Sequence, residues 1–145
     1  MLYGQFERTL DDKGRLLIPK QIKNALGNEN VLYVLKGFEG SLAIYTKKDY
    51  EAFISQLQNF SYLNKDARNL LRLTLASVNE LEIDSVGRIT ISTELLARYQ
   101  INKDVVVLGV LDHIEIWDKE AYKNYEEENS SKYEELADKL VNGNE

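Results

Sequence analysis

One pattern occurs twice in this chain, and it governs what the chain can fold into. D-D-K-G-R-L-L-I-P-K-Q-I (Asp11 to Ile22) aligns with D-S-V-G-R-I-T-I-S-T-E-L (Asp84 to Leu95) at an offset of 73 residues. Asp11/Asp84, Gly14/Gly87, Arg15/Arg88 and Ile18/Ile91 recur at the same spacing. Further along, Ser41/His113, Leu42/Ile114, Ile44/Ile116, Tyr45/Trp117 and Tyr50/Tyr122 pair at an offset of 72, so a single one-residue indel reconciles the two offsets. Agreement in both pattern and order over about 40 positions marks an internal duplication.

Each copy predicts the same elements. A strand arrives (Gly4–Leu10; Leu81–Ile83), turns at D-x-x-G, and a second strand leaves (Arg15–Ile18; Arg88–Ile91). A short helix follows, with Pro19 at its first position or Ser92 as its cap, and Gly27 ends the first of these helices. Two apolar strands come next, Val31–Leu35 with Leu42–Tyr45 and Val105–Leu108 with Ile114–Trp117, joined by hairpin-length loops. A helix closes each copy, the first opened by a capping-box-like T-K-K-D at Thr46, the second capped by Asp118. Phe53, Ile54, Leu57 and Phe60 give the first closing helix a stripe of 3.6-residue period.

The expected organisation is a first unit over 1–60, a linker helix within 61–79, a second unit over 80–125 and an acidic helical tail over 126–145. In the linker, Ala67, Leu70, Leu71, Leu75 and Val78 fall on one helical face, with Arg68 and Arg72 four apart. In the tail, Glu126–Val141 reads as one helix with Tyr133, Leu136, Ala137 and Leu140 on one side, packed on the body or on a neighbour.

Charge is distributed unevenly. The 145 residues carry a net −6. Residues 118–145 hold nine acidic and four basic side chains, which leaves the other 117 residues near neutral. Residues 1–27 hold five basic side chains (Arg8, Lys13, Arg15, Lys20 and Lys23) against three acidic ones. A small basic face on an acidic molecule fits this asymmetry, as does a plain solvated helix face in the tail. No apolar run reaches the ~20 residues of a membrane span, and the first residues lack the pattern of a signal peptide, so a soluble cytoplasmic chain is expected.

The repeated turn has a direct physical logic. An Asp at the first turn position accepts hydrogen bonds from amides further along, and Gly at the fourth tolerates positive φ. Asp11, Gly14, Asp84 and Gly87 are therefore read as turn-shaping residues. For Arg15 and Arg88 two readings stand. They form surface ion pairs with the aspartates, or their guanidinium forks meet phosphate oxygens and guanine edges. Lys13 adds a cation beside Arg15, and Arg8 and Lys20 lie close in sequence; Val86 takes the place of Lys13 in the second copy.

Enzymatic readings fare worse. With no cysteine there is no thiolate nucleophile, and the one histidine, His113, has no partner at triad spacing. An Asp11/Asp84 dyad would need its two pKa values split, whereas the neighbouring arginines would depress both. No clustered carboxylate or nucleotide motif occurs. No catalytic residue, metal, cofactor or small-molecule substrate is expected.

The residues also resemble a known family. M-L-Y-G-Q-F, L-D-D-K-G-R-L-L-I-P, I-D-S-V-G-R-I-T-I, the R-x-x-x-R from Arg68 to Arg72 and H-I-E-I-W-D closely resemble the MraZ proteins of bacteria, relatives of the AbrB/SpoVT regulators, from Met1 to about Tyr125. The resemblance implies an α+β fold of two tandem AbrB-like units, each a swapped-hairpin β-α-β arrangement, forming one compact β-barrel-like body with flanking helices. It implies a ring-shaped homo-oligomer that binds double-stranded DNA as a nucleoid-associated transcriptional regulator. The targets would be direct repeats upstream of its own gene, in the operon for cell division and cell-wall synthesis. Carried over by position, the DNA contacts would be Arg15 with Lys13, and Arg88, with Arg8 and Lys20 nearby. Ser92 stands where relatives often keep a proline. The competing reading is an oligomeric protein–protein interaction module without DNA binding.

Overall fold

The computed structural model describes residues 1–143. Eight strands and six α-helices follow one another in an order that is repeated once. The first half comprises β1 (Gln5–Thr9), β2 (Arg15–Leu17), α1 (Lys20–Leu26), β3 (Val31–Lys36), β4 (Leu42–Thr46), α2 (Lys47–Gln58) and α3 (Lys65–Ala76). The second comprises β5 (Asn79–Glu82), β6 (Arg88–Thr90), α4 (Thr93–Arg98), β7 (Asp104–Gly109), β8 (Ile114–Asp118), α5 (Lys119–Asn129) and α6 (Tyr133–Val141). The duplication read from the sequence is thus a duplication of structure.

The two halves are interlocked. Six strands form one antiparallel sheet in the order β1-β7-β8-β4-β3-β5, and β2 and β6 form a separate two-stranded ribbon. Each half contributes its own hairpin, β3–β4 or β7–β8, and the first strand of each half adds to the hairpin of the other. β1 pairs with β7 from Gln5↔Leu108 to Thr9↔Asp104, and β5 pairs with β3 from Val31↔Glu82 to Val34↔Asn79. This is the swapped arrangement expected. The body is not a closed barrel, however. β1 and β5 remain the two edges of an open sheet, because each turns away at its aspartate into the ribbon.

Strand alternation sets the layers. Val105, Val107, Leu32, Val34, Ile114 and Ile116 face one side of the sheet, where they meet Leu16 and Ile89 of the ribbon and Ile22, Leu95 and Leu96 of the short helices α1 and α4. Both ribbon residues are fully buried. On the opposite side Leu35, Ala43 and Tyr45 pack with Tyr50, Phe53 and Val78, beneath α2 and the end of α3. α5 takes the corresponding place over β7 and β8, with Trp117 against Tyr122 and Tyr125 at ring-centroid distances of 5.3 and 4.9 Å.

Local signals were obeyed closely. Thr46 Oγ1 accepts from the Asp49 amide (3.3 Å), Ser92 from Leu95 (3.1 Å), and Asp118 from Ala121 (3.3 Å). Four expectations need correction. Pro19 is the cap of α1, one residue before its expected place. The tail is not one helix from 126 to 141: a 3-10 turn at Ser130–Lys132 breaks it between α5 and α6. The linker face is rotated from its expected position. Ala67, Leu71, Thr74 and Val78 turn inward, whereas Leu70 and Leu75 are exposed, because α3 lies on β3 with its end fixed by the Ser77 hydroxyl accepting from the Lys36 amide (2.8 Å). Phe60, placed on the α2 stripe, lies beyond the helix end and is exposed.

Candidate nucleic-acid interface

The two D-x-x-x-R segments form turns with the same hydrogen-bond pattern. Asp11 Oδ1 accepts from the amides of Lys13 and Arg15, both at 2.9 Å. Asp84 Oδ1 accepts from those of Val86 (3.0 Å) and Arg88 (2.9 Å). The Gly14 and Gly87 amides donate to the carbonyls of Asp11 and Asp84, each at 3.0 Å, with φ of 77° and 88°. The second carboxylate oxygen of each aspartate then accepts from the arginine Nε, Asp11 from Arg15 and Asp84 from Arg88 (2.9 Å). So each aspartate both closes its turn and orients its arginine.

These bonds act on the carboxylates. The Arg15 amide, with the Arg15 and Lys13 bonds beside it, lowers the Asp11 pKa to about 2. The Arg88 amide lowers that of Asp84 for the same reason. Both groups move in one direction, as the neighbouring arginines dictate, which is the opposite of the split an acid–base dyad needs.

The ribbon brings the two turns together. Its register is Arg15↔Thr90, Leu16↔Ile89 and Leu17↔Arg88. Alternation therefore sets Leu16 and Ile89 inward and Arg15, Leu17, Arg88 and Thr90 on the one outward face. Arg15 and Arg88 are diagonal neighbours across the ribbon, with backbones roughly 7–8 Å apart by sheet geometry. Each guanidinium uses only its Nε within the chain, so the terminal nitrogens make no hydrogen bond among the described residues. Lys13 is exposed at the tip of the first turn, with Val86 in the equivalent place.

Two of the sequence candidates stand apart from this face. Arg8 belongs to β1 in the large sheet, where its guanidinium donates to the Glu7 carbonyl (2.7 Å) and lies over the Phe6 ring. Lys20 opens α1, exposed and just past the ribbon strand. Conversely, two features escaped the sequence reading. Leu17 is 54% exposed between the arginines, and only the ribbon register reveals that it faces outward. The first turn also borders a cleft of about 650 Å³ lined by Asp11, Asp12, Asp104, Lys103 and Lys119, where Lys103 pairs with Asp12 at 2.6 Å. That pair links residues 91 apart in sequence, which no local pattern signals.

His113 lies elsewhere. Its ring stacks on Tyr45 at 4.8 Å, with Nδ1 2.7 Å from Asp112 and Nε2 3.5 Å from Glu115. Glu115 in turn accepts from the Trp117 indole at 2.9 Å. This network ties the β7–β8 loop to β4.

Comparison with known proteins adds a family. The family model described as "MraZ protein, putative antitoxin-like" matches the chain twice, over residues 1–73 and 75–142. Among curated relatives, the transcriptional regulator MraZ of Mesoplasma florum is 43% identical, over 99% of this chain and 97% of its own length. Those of Ureaplasma parvum and Caldanaerobacter subterraneus subsp. tengcongensis are 35% and 38% identical, each over 99% of both chains. With both family matches falling on the two structural repeats, the chain belongs to the MraZ family.

Proposed function

We propose that this protein is a DNA-binding transcriptional regulator without enzymatic activity, and that the outward face of the β2–β6 ribbon is its DNA contact. One observation carries the reading. Two arginines from repeated turns share one solvent face, each oriented through Nε by a carboxylate and each with terminal nitrogens that make no hydrogen bond among the described residues. A guanidinium held in this way offers a fork to guanine O6/N7 or to phosphate oxygens, and a two-stranded ribbon fits the major groove. Exposed Leu17 suits the thymine methyl found in the same groove. Arg15 and Arg88 are the base-reading candidates, Lys13 adds phosphate attraction at the first turn, and Lys20 and Arg8 extend the basic flank.

The targets are direct repeats upstream of the protein's own gene, in the division and cell-wall operon. One ribbon neutralises few phosphates and so binds weakly. A ring of subunits presents the ribbon repeatedly and converts weak contacts into avidity. Repeats about 10 bp apart would meet successive subunits on one side of the duplex. The protein then works in the cytoplasm, at the nucleoid. Among the described residues, no helix is long and apolar enough to cross a membrane.

Fluorescence anisotropy on a duplex from that upstream region tests the reading. Arg15→Ala weakens binding by about 1–3 kcal/mol, the range for a lost bidentate base contact. Unchanged affinity removes Arg15 from the interface. A flat salt titration of the wild-type protein would reject DNA binding in favour of a protein–protein module, since phosphate contacts always release counterions.

A further inference from the structure

The outward face of the ribbon differs at its two ends. The register sets Arg15 opposite Thr90 and Leu17 opposite Arg88. The first turn leads into Arg15 and the second into Arg88, so each turn closes one end of this face. At the first end, Arg15 has exposed Lys13 two residues before it and exposed Thr90 across from it. At the second end, Arg88 has Val86 two residues before it and Leu17 across from it, 60% and 54% exposed. These are matched positions of the repeat, since Lys13 corresponds to Val86 and Leu17 to Thr90. One arginine therefore stands among polar groups and the other between two apolar ones.

A lone exposed valine or leucine on a protein surface carries no message. Two that flank a guanidinium already fixed through its Nε to Asp84 (2.9 Å) form a pattern with a chemical complement. In the major groove a guanidinium takes guanine O6 and N7, and the methyl group exposed there is the C5 methyl of thymine. The polar end has less to select with. The Thr90 hydroxyl donates or accepts and so serves any base edge, and Lys13 is a point charge suited to phosphate. Spacing agrees with this division. Side chains directly opposite on an antiparallel pair stand roughly 4.5–5.5 Å apart at Cβ, against a rise of about 3.4 Å per base. Leu17 and Arg88 can thus reach neighbouring base pairs.

We infer that the two ends of the ribbon divide the work of recognition. The end with Lys13, Arg15 and Thr90 supplies electrostatic attraction and one guanine contact. The Arg88 end, through Leu17 and Val86, selects a guanine that has a thymine beside it, by contact with the thymine methyl. Val86 thereby exchanges a phosphate contact for selectivity. This deepens the ribbon contact proposed above and rests on it.

Removing single methyl groups from the DNA tests the inference. Each thymine of the upstream duplex is replaced in turn by deoxyuridine, at the equivalent place in every repeat, and binding is followed by anisotropy at fixed salt. The two nucleosides differ at the base only in the C5 methyl. One thymine in each repeat is sensitive, and its replacement weakens wild-type binding about fourfold or more, the transfer value of one methyl group. That thymine adjoins the guanine whose replacement Arg88→Ala no longer registers. Leu17→Asn and Val86→Asn, at exposed positions and each checked for wild-type circular dichroism, bind the thymine and deoxyuridine duplexes nearly alike. Lys13→Ala and Thr90→Val retain the wild-type loss. The absence of a sensitive thymine, or a loss that persists undiminished in either Leu17→Asn or Val86→Asn, overturns the inference. Arg15→Ala separates this failure from that of the ribbon contact. Binding that Arg15→Ala weakens but that no deoxyuridine affects sinks the methyl reading alone, whereas a wild type that ignores the duplex removes the ribbon contact and this inference with it.

Discussion

Gly14 and Gly87 occupy the same place in two turns with the same hydrogen bonds, yet replacing them has unequal consequences. Both have positive φ, 77° and 88°, so a side chain at either is strained. That left-handed strain costs about 1–2 kcal/mol. At Gly87 it is the whole effect, because a Cβ there meets no atom within 4 Å. At Gly14 a Cβ would stand 2.2 Å from the carbonyl oxygen of Ile91, which is backbone and cannot rotate away. Relief requires moving the ribbon, whose Ile91 amide donates to the Gly14 carbonyl at 2.9 Å. Disturbing such a buried bond adds about 1–3 kcal/mol. Gly14→Ala should therefore be less stable than Gly87→Ala by about 1–3 kcal/mol. For a chain of this size that is a Tm difference of roughly 2–12 °C. Urea and thermal unfolding of the two variants, each at the same fixed protein concentration, measure it. Equal losses in the two variants would refute the packing argument and with it the asymmetry of the turns.

Other expectations follow from the same coordinates. Lys13→Ala should lower the slope of log affinity against log salt by about one and weaken binding to all sequences alike, as a phosphate contact does; a loss confined to one base position would contradict that role. Asp11 is stabilised as a carboxylate, so its folded pKa of about 2 lies below the ordinary 3.8. The stability it contributes is full above 3.8 and disappears as pH falls through about 2. The stability gap between wild type and Asp11→Asn should accordingly shrink over that window. Burial opposes the charge on His113, but bonds to Glu115 and Asp112 outweigh it and raise its pKa above 6.5. Its single imidazole signal in NMR should titrate above that value, and its contribution to stability should be lost as pH rises through the midpoint.

Much of this architecture was legible locally. The caps at Thr46, Ser92 and Asp118 were readable because a cap is satisfied within three residues of itself. The turns were readable because Asp and Gly impose their geometry within five positions. Strand partnership was not. Nothing in Gln5–Thr9 specifies Asp104–Leu108 as its neighbour, and the same apolar alternation would suit a closed barrel. α3 shows a second limit. Leu70 and Leu71 are equally apolar, and only the Ser77–Lys36 bond and the surface of β3 decide which turns inward. The break at Ser130 falls on Asn129-Ser130-Ser131, residues that favour caps and turns, a local signal that the helical pattern on either side masks. At the candidate site, Arg15 and Arg88 could be named from the repeat, but their common face, and Leu17 between them, follow from the register Leu17↔Arg88.

The exchange of edge strands has a lasting effect on symmetry. Two separate identical chains woven in this manner would present a matched pair of tips and approach a duplex the same way from either end. Tethering the pair into a single polypeptide lets one tip keep a lysine while the other takes a valine. The resulting particle has a front and a back. An object with such polarity is suited to sites that all point the same way along the double helix, and poorly suited to a palindrome.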